Sequence, residues 1–275
     1  MTMILALLLS LFQLAAAKPE YTIEAIRFGT LPQVRATVLL PIGATAEEKF
    51  DIAVVIWLIR GNGKNILFDT GYHRQTPGFT ERWNTKDYVR PDEAVKLAGV
   101  QPNEITDIIV SHVHWDHMGS IDLFPNATIW IQKDEYQYYT GPAFQPGGRR
   151  GGELDDLLEL VRRNAAGKVV LVDGDDREIM PGIRVYTGAR HTYSSQYVRV
   201  EGNPAFVLAS DNCYLYRNLD TNSPIATFDV TDRAANVAAF ARMIRLAGAK
   251  ERVIPGHDML QFERFPTKGR IAKIK

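Results

Sequence analysis

The sequence predicts an α+β chain in which a sandwich of β-sheets is flanked by helices. Three observations lead there. Short apolar segments, each closed by Gly, Pro or Asn, fill the chain up to residue 68 and return from residue 168. Helical spacing occupies the stretch between them and one long run near the end. The resulting order of strands, helices, strands and helix fits a sandwich better than a doubly wound sheet, in which strand and helix would alternate throughout. With 275 residues, 45% of them hydrophobic, the chain can build one large domain with a substantial core, expected over residues 18–275.

Tyr21 to Phe28, Val34 to Leu40, Ile52 to Ile59 and Ile66 to Phe68 read as successive strands. Gly61-Asn62-Gly63 separates the last two and predicts a hairpin, because Gly and Asn accept positive φ at low cost. Gly71 to Arg90 has aromatics but no clean period and reads as a long loop, a kind of segment that often carries function. A short helix is expected at Pro91 to Ala98, a buried strand at Ile105 to Val110, and the opening of another helix after Asp116. Ala127 to Gln132 is the next strand and Lys133 to Tyr139 the next helix. The Gly-rich, basic stretch Gly147 to Gly152 leads into an amphipathic helix from Glu153 to Asn164. Strand character resumes at Lys168 to Val172, Ile183 to Thr187, Gln196 to Val200 and Ala205 to Ser210. Asp229 to Ala247 carries apolar residues at helical spacing and stops at Gly248, before a last strand at Arg252 to Ile254.

Composition narrows the function. Lys plus Arg equal Asp plus Glu at 32 each, so charge gives no reason to expect nucleic acid or an anionic membrane surface as a partner. The single cysteine, Cys213, excludes an intramolecular disulfide and any multi-Cys zinc site, so a metal here must be held by His and carboxylates. Ile4 to Leu14 is almost continuously apolar and runs into Ala15-Ala16-Ala17, which reads as a secretory signal cleaved after Ala17. That run is too short for a comfortable membrane span, and the mature chain is expected in a periplasm or outside the cell without stable membrane insertion.

Ser111-His112-Val113-His114-Trp115-Asp116-His117 packs three histidines and a carboxylate into a few residues directly after a buried strand. A strand end delivers side chains to the rim of a sheet, and a tight turn there can aim several at one point. Clustered imidazoles with a carboxylate are the ligand set that borderline cations such as zinc prefer. His191, Asp211 and His257 also follow predicted strands, so they belong to the same rim. His73 lacks such a setting and is expected to be a surface or supporting residue. Asp69 ends an apolar strand before Thr70-Gly71, where its carboxylate is placed to accept the free ring N–H of a ligating histidine.

On these residues the chain resembles the metallo-β-lactamase superfamily, and within it the N-acyl homoserine lactonases. The superfamily's HxHxDH motif appears as His112, His114, Asp116 and His117, and its upstream Asp motif as Leu67-Phe68-Asp69-Thr70-Gly71. The resemblance spans about Ile52 to Asp258 and implies an αβ/βα sandwich of two mixed sheets flanked by helices. It further implies two metal ions, zinc or another divalent transition metal. One would sit on His112, His114 and His191, the other on Asp116, His117 and His257, with Asp211 bridging both. The lactonase resemblance rests on Tyr214, three residues after Asp211, on Gln132-Lys133-Asp134-Glu135-Tyr136 and on Phe228-Asp229. The third motif departs from the family, with Arg190 before His191 where Gly is usual and Ser195 where a second histidine is common.

The implied reaction opens the lactone ring of an N-acyl homoserine lactone, a small-molecule substrate, by attack of a hydroxide that two cations make available near neutral pH. Asp116 and Tyr214 are the residues assigned to the chemistry, the phenol donating to the oxyanion that forms at the carbonyl. Other hydrolases share such a site, among them β-lactamases, glyoxalase II-like thioesterases and lactonases for other rings. An aspartate at position 211 argues against most β-lactamases, which carry Cys or Ser there, and Tyr214 favours a lactone. Cys213 is expected to be a buried small hydrophobe turned from the metals. Trp115, Phe79, Trp83, Tyr88, Tyr136, Tyr138, Tyr139 and Phe144 are candidates to line an acyl-chain pocket. The sequence leaves a homodimer open.

Overall fold

The computed structural model describes residues 20–73 and 83–275. The expected signal segment and Phe79 therefore lie outside the described residues. In chain order the first elements are β1 (Thr22–Arg35), α1 (Ala36–Leu39), β2 (Lys49–Gly61), β3 (Lys64–Phe68), α2 (Pro91–Leu97), β4 (Asp107–Ile109) and α3 (Trp115–Met118). They are followed by β5 (Thr128–Gln132), α4 (Lys133–Tyr139), α5 (Leu154–Ala165), β6 (Val169–Val172), β7 (Arg177–Met180), β8 (Ile183–Tyr186), β9 (Tyr197–Val200) and β10 (Phe206–Ser210). The chain closes with α6 (Tyr216–Thr221), α7 (Arg233–Ala247), β11 (Val253–Pro255), α8 (Gln261–Arg264), β12 (Thr267–Lys268) and β13 (Ile271–Lys273).

Two mixed sheets form the sandwich that the sequence predicts. One has eight strands in the order β12-β13-β1-β2-β3-β4-β5-β6, the other five in the order β11-β10-β9-β8-β7. In the first sheet β3, β4, β5 and β6 run parallel and the remaining neighbours antiparallel. In the second only β10 and β11 are parallel. Strand β2 shows why the apolar runs are unbroken. Its Ala53, Val55, Trp57 and Ile59 join Val185, Val198 and Leu208 of the other sheet, while Ile52, Val54, Ile56 and Leu58 face the helix-covered side. Both faces of the strand are buried, so neither needs polar residues.

The Gly61-Asn62-Gly63 hairpin forms between β2 and β3, with φ +49° at Asn62 and +71° at Gly63, the pair of positive values a two-residue hairpin turn requires. Gly248 ends α7 at φ +76° with its N–H bonded to the Ile244 carbonyl. The start of that helix is corrected. Residues 230–232 form a 3₁₀ turn in which Asp229 accepts a hydrogen bond from the Thr231 N–H at 3.0 Å, and α7 begins at Arg233. The strand expected at Val34 to Leu40 is also corrected. β1 runs without a break to Arg35 through register shifts at Arg27/Gly29 and Leu31/Val34, and Ala36–Leu39 turns helical. Ala36, Leu39 and Leu40 are the buried residues there, and their i, i+3, i+4 spacing suits a helical turn rather than a strand. Strands β7, β12 and β13 and helices α6 and α8 have no counterpart in the sequence reading. Among the described residues no helix is long and apolar enough to cross a membrane.

Candidate metal centre

Five strand ends converge on one rim. Asp69 follows β3, Ser111 to His114 follow β4, His191 follows β8, Asp211 follows β10 and His257 follows β11, while Asp116 and His117 ride on the one-turn helix α3. The rim is tightly packed. A Cβ on Gly256 would lie 2.7 Å from the backbone carbonyl of Ser210, so only glycine lets the end of β11 pass β10 and bring His257 beside Asp211. Three non-glycine residues with left-handed backbone also sit here, Asp69, Arg190 and Ser210, at φ +61°, +60° and +47°. Such conformations are uncommon outside glycine and cost about 1–3 kcal/mol each, so the surrounding contacts must hold them.

The ligand candidates form two groups. His112, His114, His191 and Asp211 make one, Asp116, His117 and His257 the other, each with its donor atoms within 4.8 Å of one another. In the first, His114 Nδ1 lies 3.0 Å from both His112 Nε2 and His191 Nε2. Ligands about 2.0–2.1 Å from a tetrahedral ion lie about 3.3 Å from each other, close to this spacing. Asp211 stands between the groups. Its Oδ2 is 3.2 Å from His191 Nε2 and 3.7 Å from His112 Nε2, whereas its Oδ1 is 2.7 Å from His257 Nε2 and 3.1 Å from His117 Nε2. One oxygen therefore faces each group. Asp116 Oδ2 lies 3.5 Å from His117 Nε2 and 3.7 Å from His257 Nε2.

The ring nitrogens pointing away from these groups are held from behind. His191 Nδ1 is 2.8 Å from the Ala226 carbonyl, His257 Nδ1 2.8 Å from the Ala53 carbonyl, His112 Nδ1 2.8 Å from Ser111 Oγ and His117 Nδ1 2.9 Å from Asp69 Oδ2. With a metal bound, each of these oxygens would accept the proton of the far nitrogen and leave Nε2 free to ligate. Asp69 is the hub of this support. It is fully buried and also accepts from the Ser111 N–H, Ser111 Oγ and Ser210 Oγ at 2.8, 2.8 and 2.7 Å.

The electrostatics call for a cation. Burial, and then the neighbouring imidazoles, push His112 well below the usual histidine range, and burial takes His114 down to about 3, so both stay neutral donors. Burial also works against charge on His117 and His257, but Asp211 and Asp116 outweigh it and hold both above the ordinary value. Asp211 is held well below the carboxylate range, because His117 and His257 overcome the desolvation that would raise it. Among the described residues the recorded ion contacts of Asp69, Asp116 and Asp211 are all to these histidines, with no Lys or Arg. His117 Nε2 and Asp211 Oδ1 are buried without a hydrogen-bond partner, their 3.1 Å approach lacking the geometry for one. Orphaned donors of this kind, in a set of imidazoles and carboxylates, fit two divalent cations.

The remaining sequence candidates fall around the rim. Tyr214 is buried with its hydroxyl 3.4 Å from His191 Nδ1, and burial followed by Asp211 and Asp116 pushes its phenol well above the usual range, so it stays protonated. Cys213 is a buried thiol donating to the Leu215 carbonyl at 3.4 Å, in line with the expected small-hydrophobe role. The departures at Arg190 and Ser195 are accommodated. Arg190 turns outward to Asp232 at 3.3 Å and over the rings of Tyr193 and Phe228. Ser195 Oγ accepts from the His191 N–H at 3.1 Å and donates to Asn212 Oδ1 at 2.6 Å, bracing the loop where a second histidine is common. His73 stays outside both groups, 2.9 Å from Asp122.

The aromatic set divides instead of lining one pocket. Trp115 packs against Tyr72 and stacks on Trp83, and Tyr88 packs on Tyr72. Tyr138 stacks on Tyr193 at 4.2 Å beside Phe228, on the side of the His191 loop. Tyr139 is core, Tyr136 accepts a hydrogen bond from Asn164, and Phe144 lies under Arg150. A cavity of about 310 Å³ opens at the metal rim between His114, Trp115 and Arg150 to Glu153. Sequence reading missed Ser111, Ser210 and Glu135 as supports. The two serines had a usable signal, a hydroxyl immediately before a ligand at a strand end. Glu135 was singled out only as part of the lactonase-like run Gln132 to Tyr136, with no role, since an acid in a first helical turn otherwise reads as solvated.

A sandwich of two mixed sheets with two His/Asp metal groups at its rim defines a class of metal-dependent hydrolases. The chain belongs to the Metallo-beta-lactamase superfamily, whose family model matches residues 51–257. Among curated proteins it is 26% identical over 232 residues to the N-acyl homoserine lactonase AiiB of Agrobacterium fabrum, covering 77% of this chain and 82% of that one. It is likewise 26% identical over 230 residues to an N-acyl homoserine lactonase of a Bacillus species, covering 79% and 86%. A solved structure of an N-acyl homoserine lactone hydrolase with N-hexanoyl-L-homoserine at its catalytic metal centre superposes with a TM-score of 0.73. It is 20% identical and covers 90% of this chain and 96% of that one. AidC, a dizinc quorum-quenching lactonase, superposes with a TM-score of 0.65 at 19% identity, covering 87% and 88%.

Proposed function

We propose that this protein hydrolyses the lactone ring of N-acyl homoserine lactones at a dinuclear zinc centre. His112, His114 and His191 would hold one ion and Asp116, His117 and His257 the other, with Asp211 shared. The observation that carries the reading is Asp211, which turns one carboxylate oxygen to each group with Tyr214 three residues on. The relatives named N-acyl homoserine lactonase support the substrate.

Two divalent ions bound there would supply an activated water and polarise the carbonyl. The chain's own residues do the rest. Tyr214, kept protonated by burial, donates to the oxyanion that forms as the ring carbonyl is attacked. Asp69, Ser111, Ala226 and Ala53 fix the imidazole orientations, so little rearrangement is needed at the moment of reaction. The cavity walled by His114, Trp115, Gly151 and Gly152 is where the acyl chain would leave the metal rim. Residues 1–17 support export of a mature chain 18–275, which N-terminal sequencing of secreted protein tests.

The deciding experiment measures zinc content and turnover on lactone, β-lactam and thioester panels, for wild type and Tyr214→Phe. We expect two zinc ions per chain and preference for acyl-homoserine lactones. Tyr214→Phe should lower kcat about a hundredfold to a thousandfold with unchanged zinc content and melting temperature. Full activity of Tyr214→Phe on the lactone, or preference for another panel, would overturn the lactonase reading and leave the two-metal hydrolase standing.

A further inference from the structure

Glu135 lies in the first turn of α4 and is fully buried, remote in sequence from every ligand candidate. Its carboxylate nevertheless ties together two of their loops. Oε1 accepts from the Val113 N–H at 3.3 Å and from Thr192 Oγ1 at 2.7 Å, and Oε2 accepts from the Ser194 N–H at 2.7 Å. Val113 is the residue between His112 and His114, while Thr192 and Ser194 follow His191. A single side chain therefore spans the two segments whose nitrogens meet at His114 Nδ1, 3.0 Å from each neighbour.

All three contacts are donors, so a carboxylate satisfies every one. A glutamine offers one oxygen and would set its NH₂ against at least one of those N–H or O–H groups. A charge here is costly to the fold. Burial pushes the Glu135 carboxyl up to about 7, while Thr192, Ser194 and Val113 pull the other way. An acid kept at such a position, next to the His191 loop, has a use if a cation is bound beside it.

We propose that Glu135 is a positioning residue that holds the His112–His114 and His191 loops in register for a divalent cation. The inference rests on the metal reading above. The mechanism is rigid placement of three imidazoles combined with a nearby buried negative charge, so the effect belongs to one of the two metal groups and not to the other.

The test is zinc binding by competition with a chromogenic chelator, in two backgrounds. His257→Ala leaves the three-histidine group to be read by itself, and His191→Ala leaves the Asp116, His117 and His257 group. In the first background Glu135→Gln should weaken zinc binding about tenfold to a hundredfold, the range seen when a partner behind a metal ligand is removed. In the second it should change nothing. Thr192→Val removes one donor and no charge, and should weaken the same group a few-fold, which keeps the inference testable if the amide variant does not fold. Equal losses in both backgrounds together with a lower unfolding midpoint of metal-free protein would mean general loosening and overturn the inference. Unchanged zinc affinity of Glu135→Gln in the first background would overturn it as well, leaving the metal reading intact. Wild-type protein that binds no zinc would remove both.

Discussion

Replacing Asp69 by asparagine separates its service to the fold from its service to the metal groups. The side chain is fully buried and accepts four hydrogen bonds, from the Ser111 N–H and Ser111 Oγ at 2.8 Å, from Ser210 Oγ at 2.7 Å and from His117 Nδ1 at 2.9 Å. Oδ2 takes three of them, so the asparagine oxygen settles there and the NH₂ faces the Ser111 N–H. That leaves the Ser111 N–H and the new NH₂ facing each other as two buried donor groups without an acceptor, at a cost of about 1–3 kcal/mol for each. The backbone adds no penalty, because asparagine tolerates the left-handed φ of +61° as aspartate does. Against a typical stability of about 5–15 kcal/mol the variant should stay folded. Asp69→Ala removes the acceptor from all four donors. Ser210 Oγ can still turn to Ser111 Oγ at 2.9 Å and accept from His117 Nδ1 at 3.1 Å. The Ser111 N–H has no such alternative and a cavity is left, so this variant should be destabilised more than Asp69→Asn. Loss of the carboxylate charge behind His117 should also weaken zinc binding about tenfold to a hundredfold, or about 1.4–2.8 kcal/mol. Urea unfolding of the metal-free protein and a zinc competition titration read the two effects separately. A destabilised Asp69→Asn with wild-type zinc affinity would refute the argument that Asp69 orients and charges His117.

Two further outcomes follow from the same contacts. His73→Ala removes a half-buried contact to Asp122 and should leave zinc content and turnover at wild-type levels, with a stability loss below about 1 kcal/mol; loss of turnover at normal zinc loading would place His73 in the chemistry. Glu135 gives a pH signature in metal-free protein. Its carboxyl is raised from 4.5 in the unfolded chain to about 7 in the fold, so burying it costs nothing below the first value and the full amount above the second. The stability of Glu135→Gln relative to wild type should therefore rise by roughly 3 kcal/mol between about pH 4.5 and 7 and be flat beyond. A pH-independent difference in urea unfolding would show that this carboxyl is not the titrating group.

The support behind the ligands explains why the rim tolerates strained backbone. Asp69 and Ser210 both adopt left-handed φ and are bonded to each other through Ser210 Oγ, and Arg190, the third, is anchored outward to Asp232. Each strained residue is tied to a buried or paired partner, which is how a fold keeps conformations that would relax in an open loop.

Much of this was readable from residue order because the chemistry depends on residue type and the fold on apolar period. His112, His114, Asp116, His117, His191, Asp211 and His257 were legible as candidates because imidazoles and carboxylates clustered after apolar strands have few other uses. The β2–β3 hairpin and the end of α7 were legible because Asn62, Gly63 and Gly248 carry their backbone preference with them. Tertiary contacts decided the rest. Val34 to Leu40 looked like a strand, but its pairing with β2 ends at Arg35, and burial of Ala36, Leu39 and Leu40 favoured a helical turn. The short β12 and β13 exist as strands because β1 offers β13 an edge to pair with, which no local pattern encodes. The division of seven ligands into two groups and the bridging place of Asp211 were implied only through the family resemblance, and the bridging by Glu135 belongs to the three-dimensional structure alone. They depend on which strand ends become neighbours across two sheets, and residues as far apart as Asp69 and Ser210 meet only once those sheets have packed.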